Sequence, residues 1–306
     1  VARSILLLLR PFRPQQQYLK NNLFQIFDVA GETVTQLAEL SGHEGPVWAV
    51  AWAHPRFGGG LLASASFDHR VLLWVESSSS SSGRGASSSS SWQRLPFEPP
   101  AHSASVNALA FAPQELGLAL AAASSDGSVS VLTAQTSSSN SNSAEGWSAD
   151  RIERAHAAGV LGLSWFPSAT ERRLATCGCD NLIKIWRFDD GSGGWSAEGA
   201  PLAAHTEWVR DVAFAPSLAS PSSSASTSSP VLASAGQDGK VFVWSESRET
   251  GTWTPTLVND FGSGQPVWRV SWSTAGGVLA VSDSRGAVSL WKESVDGQWE
   301  QVSAPA

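Results

Sequence analysis

Histidine, aspartate and serine recur together along this chain, and that trio can carry nucleophilic chemistry. A serine hydroxyl attacks, an imidazole takes its proton, and a carboxylate orients the imidazole. The sets are His43 with Asp68, His102 with Asp126, His156 with Asp180, and His205 with Asp238. Small hydroxyls come just before the aspartate, Ser64 and Ser66 in the first set. Six residues after the aspartate stand Trp74, Trp186 and Trp244, with Leu132 at that place in the second set. A nucleophile and its base occur once per active site, whereas this set occurs in four units. Repetition argues for a structural part. No Gly-rich phosphate loop, G-x-S-x-G elbow, H-E-x-x-H motif or cluster with metal-ligand spacing is present, so no enzyme activity, cofactor or metal is expected. The two cysteines, Cys177 and Cys179, lack the C-x-x-C spacing of a redox or zinc motif. They read as small buried strand residues in a reducing compartment.

The elements that position these sets are short strands. Each His precedes an alternating apolar run: VWAVAW (Val47–Trp52), VNALAF, VLGLSW and WVRDVAF. A second run leads into the aspartate turn, and a third closes on the Trp or Leu. A fourth run follows, often with its own tryptophan: Trp92, Trp147, Trp195, Trp253 and Trp299. A further unit holds VWRVSW (Val267–Trp272) and ends at Trp291, while LFQIFDV (Leu23–Val29) reads as a third strand with Phe27 in the Trp position. Four short strands per unit between Gly, Asp, Asn and Ser turns make a propeller blade. Expected blades are 21–40, 41–98, 99–153, 154–203, 204–258 and 259–303, forming one domain over 1–306 with an atypical segment at 1–20. The fold class is therefore all-β, a six-bladed propeller whose first blade is incomplete.

Composition agrees with a repeated core. Fifteen tryptophans against one tyrosine give a fold anchored at many equivalent points, since each buried Trp removes roughly 150–250 Å² from water. The net charge is −7, and Lys and Arg cluster only at Arg10–Arg13 and Arg172–Arg173. Direct nucleic-acid binding is not expected from such a distribution. The apolar run Ile5–Leu9 is shorter than a secretory core and ends at Arg10-Pro11. With no apolar stretch of membrane-spanning length, and Val in place of an initiating Met, the chain reads as a soluble, cytosol-facing fragment or processed form. The serine tracts Ser77–Ser91, Ser137–Ser143 and Ser217–Ser229 are expected to be disordered loops between strands.

Several segments carry a closer resemblance. GHEGPVWAVAWAHPRFGG (Gly42–Gly59), HSASVNALAFAPQELG (His102–Gly117), AHAAGV (Ala155–Val160), CDNLIKIW (Cys179–Trp186), HTEWVRDVAFAP (His205–Pro216) and VSLWKE (Val288–Glu293) together resemble the Sec-thirteen family of WD-repeat proteins over roughly residues 23–300. The related Seh-type nucleoporin propeller shares the WAHPxFG segment, but AHAAGV and WVRDV favour the Sec-thirteen side. The resemblance implies that each His, hydroxyl, Asp and Trp forms a hydrogen-bonded network within its blade. In the first full unit this joins His43, Ser64 or Ser66, Asp68 and Trp74. Two departures stand out. Residues 1–20 do not resemble the family's first two strands, which suggests a truncated or mispredicted start. Arg285 holds the place of the turn Asp in the last unit and no His precedes it, so that blade should lack the network and be looser.

The same resemblance implies a scaffold of the COPII coat's outer cage in ER-to-Golgi transport and of the nuclear-pore Y-complex. The ring would stay open between the first and last blades and accept a seventh blade from a partner. Partners would be the Sec-thirty-one-type cage rod and an α-helical Y-complex nucleoporin, with the GATOR assembly as a further one. Membrane association would come only through coat or pore. By topology the docking edges are Leu23, Phe24, Ile26 and Phe27 in the first blade, and Leu279, Val281, Val288 and Leu290 in the last. The rival readings are an adaptor propeller working through its top loops and a propeller hydrolase. The latter needs one acidic or His set converging on the channel, which this sequence does not supply.

Overall fold

A computed structural model describes residues 22–30, 33–57, 60–78, 90–135, 146–216, 229–247 and 249–303. These residues form five four-stranded antiparallel sheets and one two-stranded sheet. The first sheet is β1 (Leu23–Ala30) and β2 (Thr33–Ser41). The second runs β3 (Val47–Trp52), β4 (Leu61–Ser66), β5 (Val71–Ser78), β6 (Ser90–Arg94). The third is β7 (Val106–Phe111), β8 (Ala119–Ser124), β9 (Val129–Ala134), β10 (Trp147–Ile152). The fourth is β11 (Val160–Trp165), β12 (Arg173–Gly178), β13 (Ile183–Asp189), β14 (Gly194–Leu202). The fifth is β15 (Val209–Phe214), β16 (Val231–Gly236), β17 (Lys240–Glu246), β18 (Trp253–Asp260). The sixth is β19 (Val267–Trp272), β20 (Leu279–Asp283), β21 (Val288–Glu293), β22 (Trp299–Ser303). In each full sheet the strands pair in chain order, which is the meander of a propeller blade.

In the second, third and fourth sheets the second strand is covered on both faces. LLASAS, ALAAAS and RLATCG are buried at every position, so alternation gives way to a continuous run of small and apolar residues. Outer strands face solvent on one side; β14 alternates only loosely and is largely exposed.

The core is divided into slabs between neighbouring sheets. Phe24 and Ile26 pack with Leu62, Leu72 and Trp74 between the first and second sheets. Ala63 and Leu73 meet Leu120 and Leu132 between the second and third. Val131 and Ile152 meet Leu163 and Trp186 between the third and fourth, Ile185 meets Val212 and Trp244, and Val243 meets Val270 and Trp291. Among the described residues no such slab joins the sixth sheet to the first.

Several expectations meet a different outcome. Ser77 and Ser78 belong to β5 and pair with Ser91 and Ser90 of β6, so the ends of the first serine tract extend a hairpin. The Ser77 hydroxyl donates to the Ser91 carbonyl at 2.8 Å. The rest of that tract and the bulk of the other two lie outside the described residues, as do residues 1–20. Cys177 is a buried strand residue, but β12 ends at Gly178 and leaves Cys179 half-buried in the turn. No described helix is long and apolar enough to cross a membrane.

Candidate docking faces and the joints that shape them

Each aspartate turn bends back so that the His entering the blade reaches the second strand. In the second sheet His43 Nδ1 lies 2.8 Å from Asp68 Oδ2, and its Nε2 lies 2.8 Å from Ser64 Oγ. Trp74 Nε1 donates to that same Ser64 oxygen at 2.8 Å. A carboxylate only accepts and an indole only donates. The chain of donation therefore runs from Trp74 to Ser64, from Ser64 to His43 Nε2, and from His43 Nδ1 to Asp68. Ser66 does another job: its hydroxyl donates to the Gly45 carbonyl at 3.0 Å and accepts from Asp68 N at 3.1 Å.

The fourth and fifth sheets repeat the arrangement. His156 bridges Asp180 at 2.7 Å and Thr176 at 2.8 Å, with Trp186 donating to Thr176 at 2.9 Å. His205 bridges Asp238 at 3.0 Å and Ser234 at 2.8 Å, with Trp244 donating to Ser234 at 2.9 Å. The third sheet has Ala122 where a hydroxyl is needed, and Ser130 takes over, 2.7 Å from His102 Nε2. His102 Nδ1 meets Asp126 at 3.1 Å, and Arg151 adds a guanidinium to the carboxylate at 2.7 Å.

The sixth sheet does contain a polar joint, although Arg285 replaces the turn Asp. Asp283, two residues earlier, is buried and accepts from the backbone of Arg285 at 2.9 Å and of Ala287 at 3.0 Å. The Arg285 guanidinium closes on it at 2.8 Å, and Trp291 donates to Ser289 at 2.8 Å. A carboxylate inside the strand thus replaces one in the turn, a shift that motif spacing alone does not reveal.

These sets are built to hold, not to react. Ser64, Thr176 and Ser234 are fully buried, and their hydroxyls are engaged at both ends. Burial holds His43 and His102 below the ordinary imidazole range. For Asp68, Asp180 and Asp238 burial works upward, but hydrogen bonds from histidine and backbone N–H groups outweigh it and hold the carboxyls down. In the second and third sheets the joint is therefore neutral imidazole on ionised carboxylate, with each polar group hydrogen-bonded, as a buried polar network must be to stabilise. Among the described residues no group of three or more His, Cys, Asp or Glu could hold a metal.

Between sheets, inner strands are latched by tryptophans. Trp165 Nε1 donates to the Ala110 carbonyl at 2.9 Å, and Trp272 Nε1 donates to that of Ala213 at 2.9 Å. Trp52 holds the corresponding place in β3. Its buried Nε1 finds no acceptor among the described residues, which give the first sheet only β1 and β2.

The eight edge residues divide by face. Phe24 and Ile26 are buried against the second sheet, whereas Leu23 is 40% exposed and Phe27 half-buried. Leu279 and Val281 are buried against the fifth sheet. Val288 is 53% exposed and Leu290 half-buried, opposite Ser282 and Ala280 in the β20–β21 ladder. Both β20 and β21 are paired on their two sides, so no strand can add to their backbone. What the last sheet offers is a face: Ala280, Ser282, Val288 and Leu290.

Comparison with known proteins identifies the repeat and its relatives. The family described as WD domain, G-beta repeat matches residues 34–75, 94–131, 150–187 and 199–245. Protein SEC13 homolog of Drosophila melanogaster is 43% identical over 282 residues, covering 87% of this chain and 71% of that protein. Protein transport protein sec13 of Emericella nidulans is 41% identical over 292 residues, covering 91% and 86%. Protein transport protein SEC13 of Mycosarcoma maydis is 38% identical over 328 residues, covering 91% and 85%.

Proposed function

This chain belongs to the Sec13 family of WD-repeat proteins, and from that premise we propose that it is a non-catalytic scaffold of a vesicle-transport coat. Its relatives carry the words protein transport in their names. In this reading the chain sits in the outer cage of the COPII coat, peripheral to ER exit sites, and in the Y-complex of the nuclear pore. It binds the cage rod, or the corresponding α-helical nucleoporin, by taking a β-sheet from that partner between its first and sixth sheets. The GATOR assembly is a further partner of the same kind. Contact with membrane comes only through these assemblies.

One observation carries this reading. The first and sixth sheets each turn a face away from their neighbours, with Leu23 and Gln25 on one and Val288 and Leu290 on the other. No apolar slab among the described residues fills the space between those sheets. An exposed apolar sheet face can pack against another sheet, and β1 and β2, each paired on one side among the described residues, leave edges on which another chain's strands can add. Trp52, packed between the first and second sheets, keeps an N–H with no partner among the described residues, and a strand added on the inner side of the first sheet would bring carbonyls within its reach. A scaffold acts through stiffness and needs no turnover, which suits blades locked by satisfied joints.

Co-purification with the cage-rod subunit, with and without its blade-insertion segment, tests this. Capture that depends on the segment supports blade donation. Capture that ignores the segment, or no capture at all, replaces it with an adaptor working through the loops.

A further inference from the structure

The inner strand of every full sheet is bulged at its second residue. Register shifts fall between Val47 and Ala49, Val106 and Ala108, Val160 and Gly162, Val209 and Asp211, and Val267 and Arg269. A bulge leaves one residue unpaired and re-aims its side chain, and bulges gather near functional sites. The re-aimed residues are Trp48, Asn107, Leu161, Arg210 and Trp268. They lie on the rim of the propeller that also holds the aspartate turns: Phe67 N bonds Pro46 O, and Gln237 N bonds Trp208 O, at 2.9 and 2.8 Å.

Asn107 uses its position to bridge sheets, donating to the Val160 carbonyl at 2.8 Å. Arg210 does not. Its guanidinium lies 4.6 Å from the centre of the Trp268 ring and 5.2 Å from that of Trp208. Nε donates to Gln237 Oε1 at 2.8 Å, and Nη2 reaches the same oxygen. Among the described residues Nη1 has no acceptor, and no carboxylate lies within ion-pair distance. Beside the guanidinium opens a cleft of about 350 Å³ lined by Asn181, Thr206, Glu207, Trp208, Arg210 and Gln237. Trp208 and Trp268 are 46% and 44% exposed.

We propose that this cleft binds a short acidic peptide segment of a partner protein, one carboxylate taking Nη1 of Arg210 and a neighbouring apolar side chain lying on the exposed indoles. Two ring faces and one amide oxygen fix the guanidinium fork without neutralising it, which leaves a preset carboxylate receptor. Partial burial lowers the affinity of Arg210 for its proton. Arginine flanked by large aromatics is also the usual composition of an interface hot spot. Glu207 on the cleft wall and the net charge of −7 work against a polyanion, so a peptide with a single carboxylate at this point fits better than nucleic acid.

Selection of a phage-displayed random peptide library on the full chain tests the proposal. Enriched peptides should place Asp or Glu beside Leu, Phe or Trp. Fluorescence-polarisation affinity for the best of them should fall at least about tenfold in Arg210→Gln and in Trp268→Ala, and stay unchanged in Trp48→Ala. Thermal melts check folding; if Arg210→Gln melts early, Trp208→Ala and Trp268→Ala carry the comparison. Failure to enrich, peptides without a carboxylate, or undiminished binding by a folded Arg210→Gln overturns the proposal. Tighter binding of an RNA oligonucleotide or a phosphoserine peptide overturns it too. Rod-subunit capture uses another surface and stays intact in Arg210→Gln, so the two readings fail separately.

Discussion

The Ser130 hydroxyl lies 2.7 Å from His102 Nε2, on the strand next to the one that supplies the hydroxyl elsewhere. Ser130 pairs directly across the β8–β9 ladder with Ala122, the counterpart of Ser64. Ser289 likewise pairs with Val281 in the sixth sheet. A hydroxyl can thus change strands and still serve the joint, because cross-strand partners on one face are near neighbours. Ser130→Ala should leave the His102 nitrogen unsatisfied and cost about 1–3 kcal/mol in denaturant unfolding. Adding Ala122→Ser should restore part of the loss; no recovery would mean that the two positions are not equivalent.

Gly236 faces a tighter constraint. A Cβ there would meet Asp238 Oδ1 and His205 Nδ1 within bond-like distances, although Ser66 holds the corresponding place in β4. Gly236→Ala should push the His–Asp pair apart and destabilise by about 1–3 kcal/mol. A melting temperature equal to that of the parent chain would show that the joint yields.

Acid should weaken the fold in two stages. Burial keeps His43 and His102 below their ordinary 6.5, so the unfolded chain takes up protons first and stability falls as pH drops through that value. The depressed carboxyls of Asp68, Asp180 and Asp238 add a second loss below their ordinary 3.8. Asp211 runs the other way: burial pushes it up to about 6 against the nearby Arg269. It gains stability as pH falls between those values. Asp211→Asn should therefore steepen the decline of melting temperature on acidification from pH 6 to 4. A shallower decline would contradict that assignment.

Val288 and Leu290 offer a test of the docking face. Because Val288 is 53% exposed, Val288→Glu should shift stability by no more than about 0.5 kcal/mol. Placed under a donated sheet, the same charge should reduce rod capture at least about tenfold. Undiminished capture would move the interface elsewhere.

The repeat, the strand order and the His–Asp spacings are legible in sequence because period-two alternation and turn residues are local signals. The choice between Ser64 and Ser66 is not, since both precede the turn and only the strand's facing decides which reaches Trp74. Strand facing also separates Val288 and Leu290 from Leu279 and Val281. Arg173 shows a further limit. In sequence it is only one of two adjacent arginines, yet it is buried over Phe166 and forked onto Glu246 at 3.0 and 2.9 Å, with Glu198 at 2.7 Å. Its partners lie far along the chain, where no spacing rule reaches. The bulge residues escape for a similar reason: Arg210 and Trp268 sit in different sheets, and only the packing of the fifth sheet on the sixth brings them together.

The missing acceptor of Trp52 has a mechanical consequence. Trp165 latches the fourth sheet to the third and Trp272 the sixth to the fifth, whereas Phe111 and Phe214 hold that place in the third and fifth sheets and have no N–H to donate. At the second sheet an indole is in place, but among the described residues the bolt has no socket. In a force spectrometer we expect the chain to yield first at that seam, and a bound partner that raises the yielding force would do so by filling it.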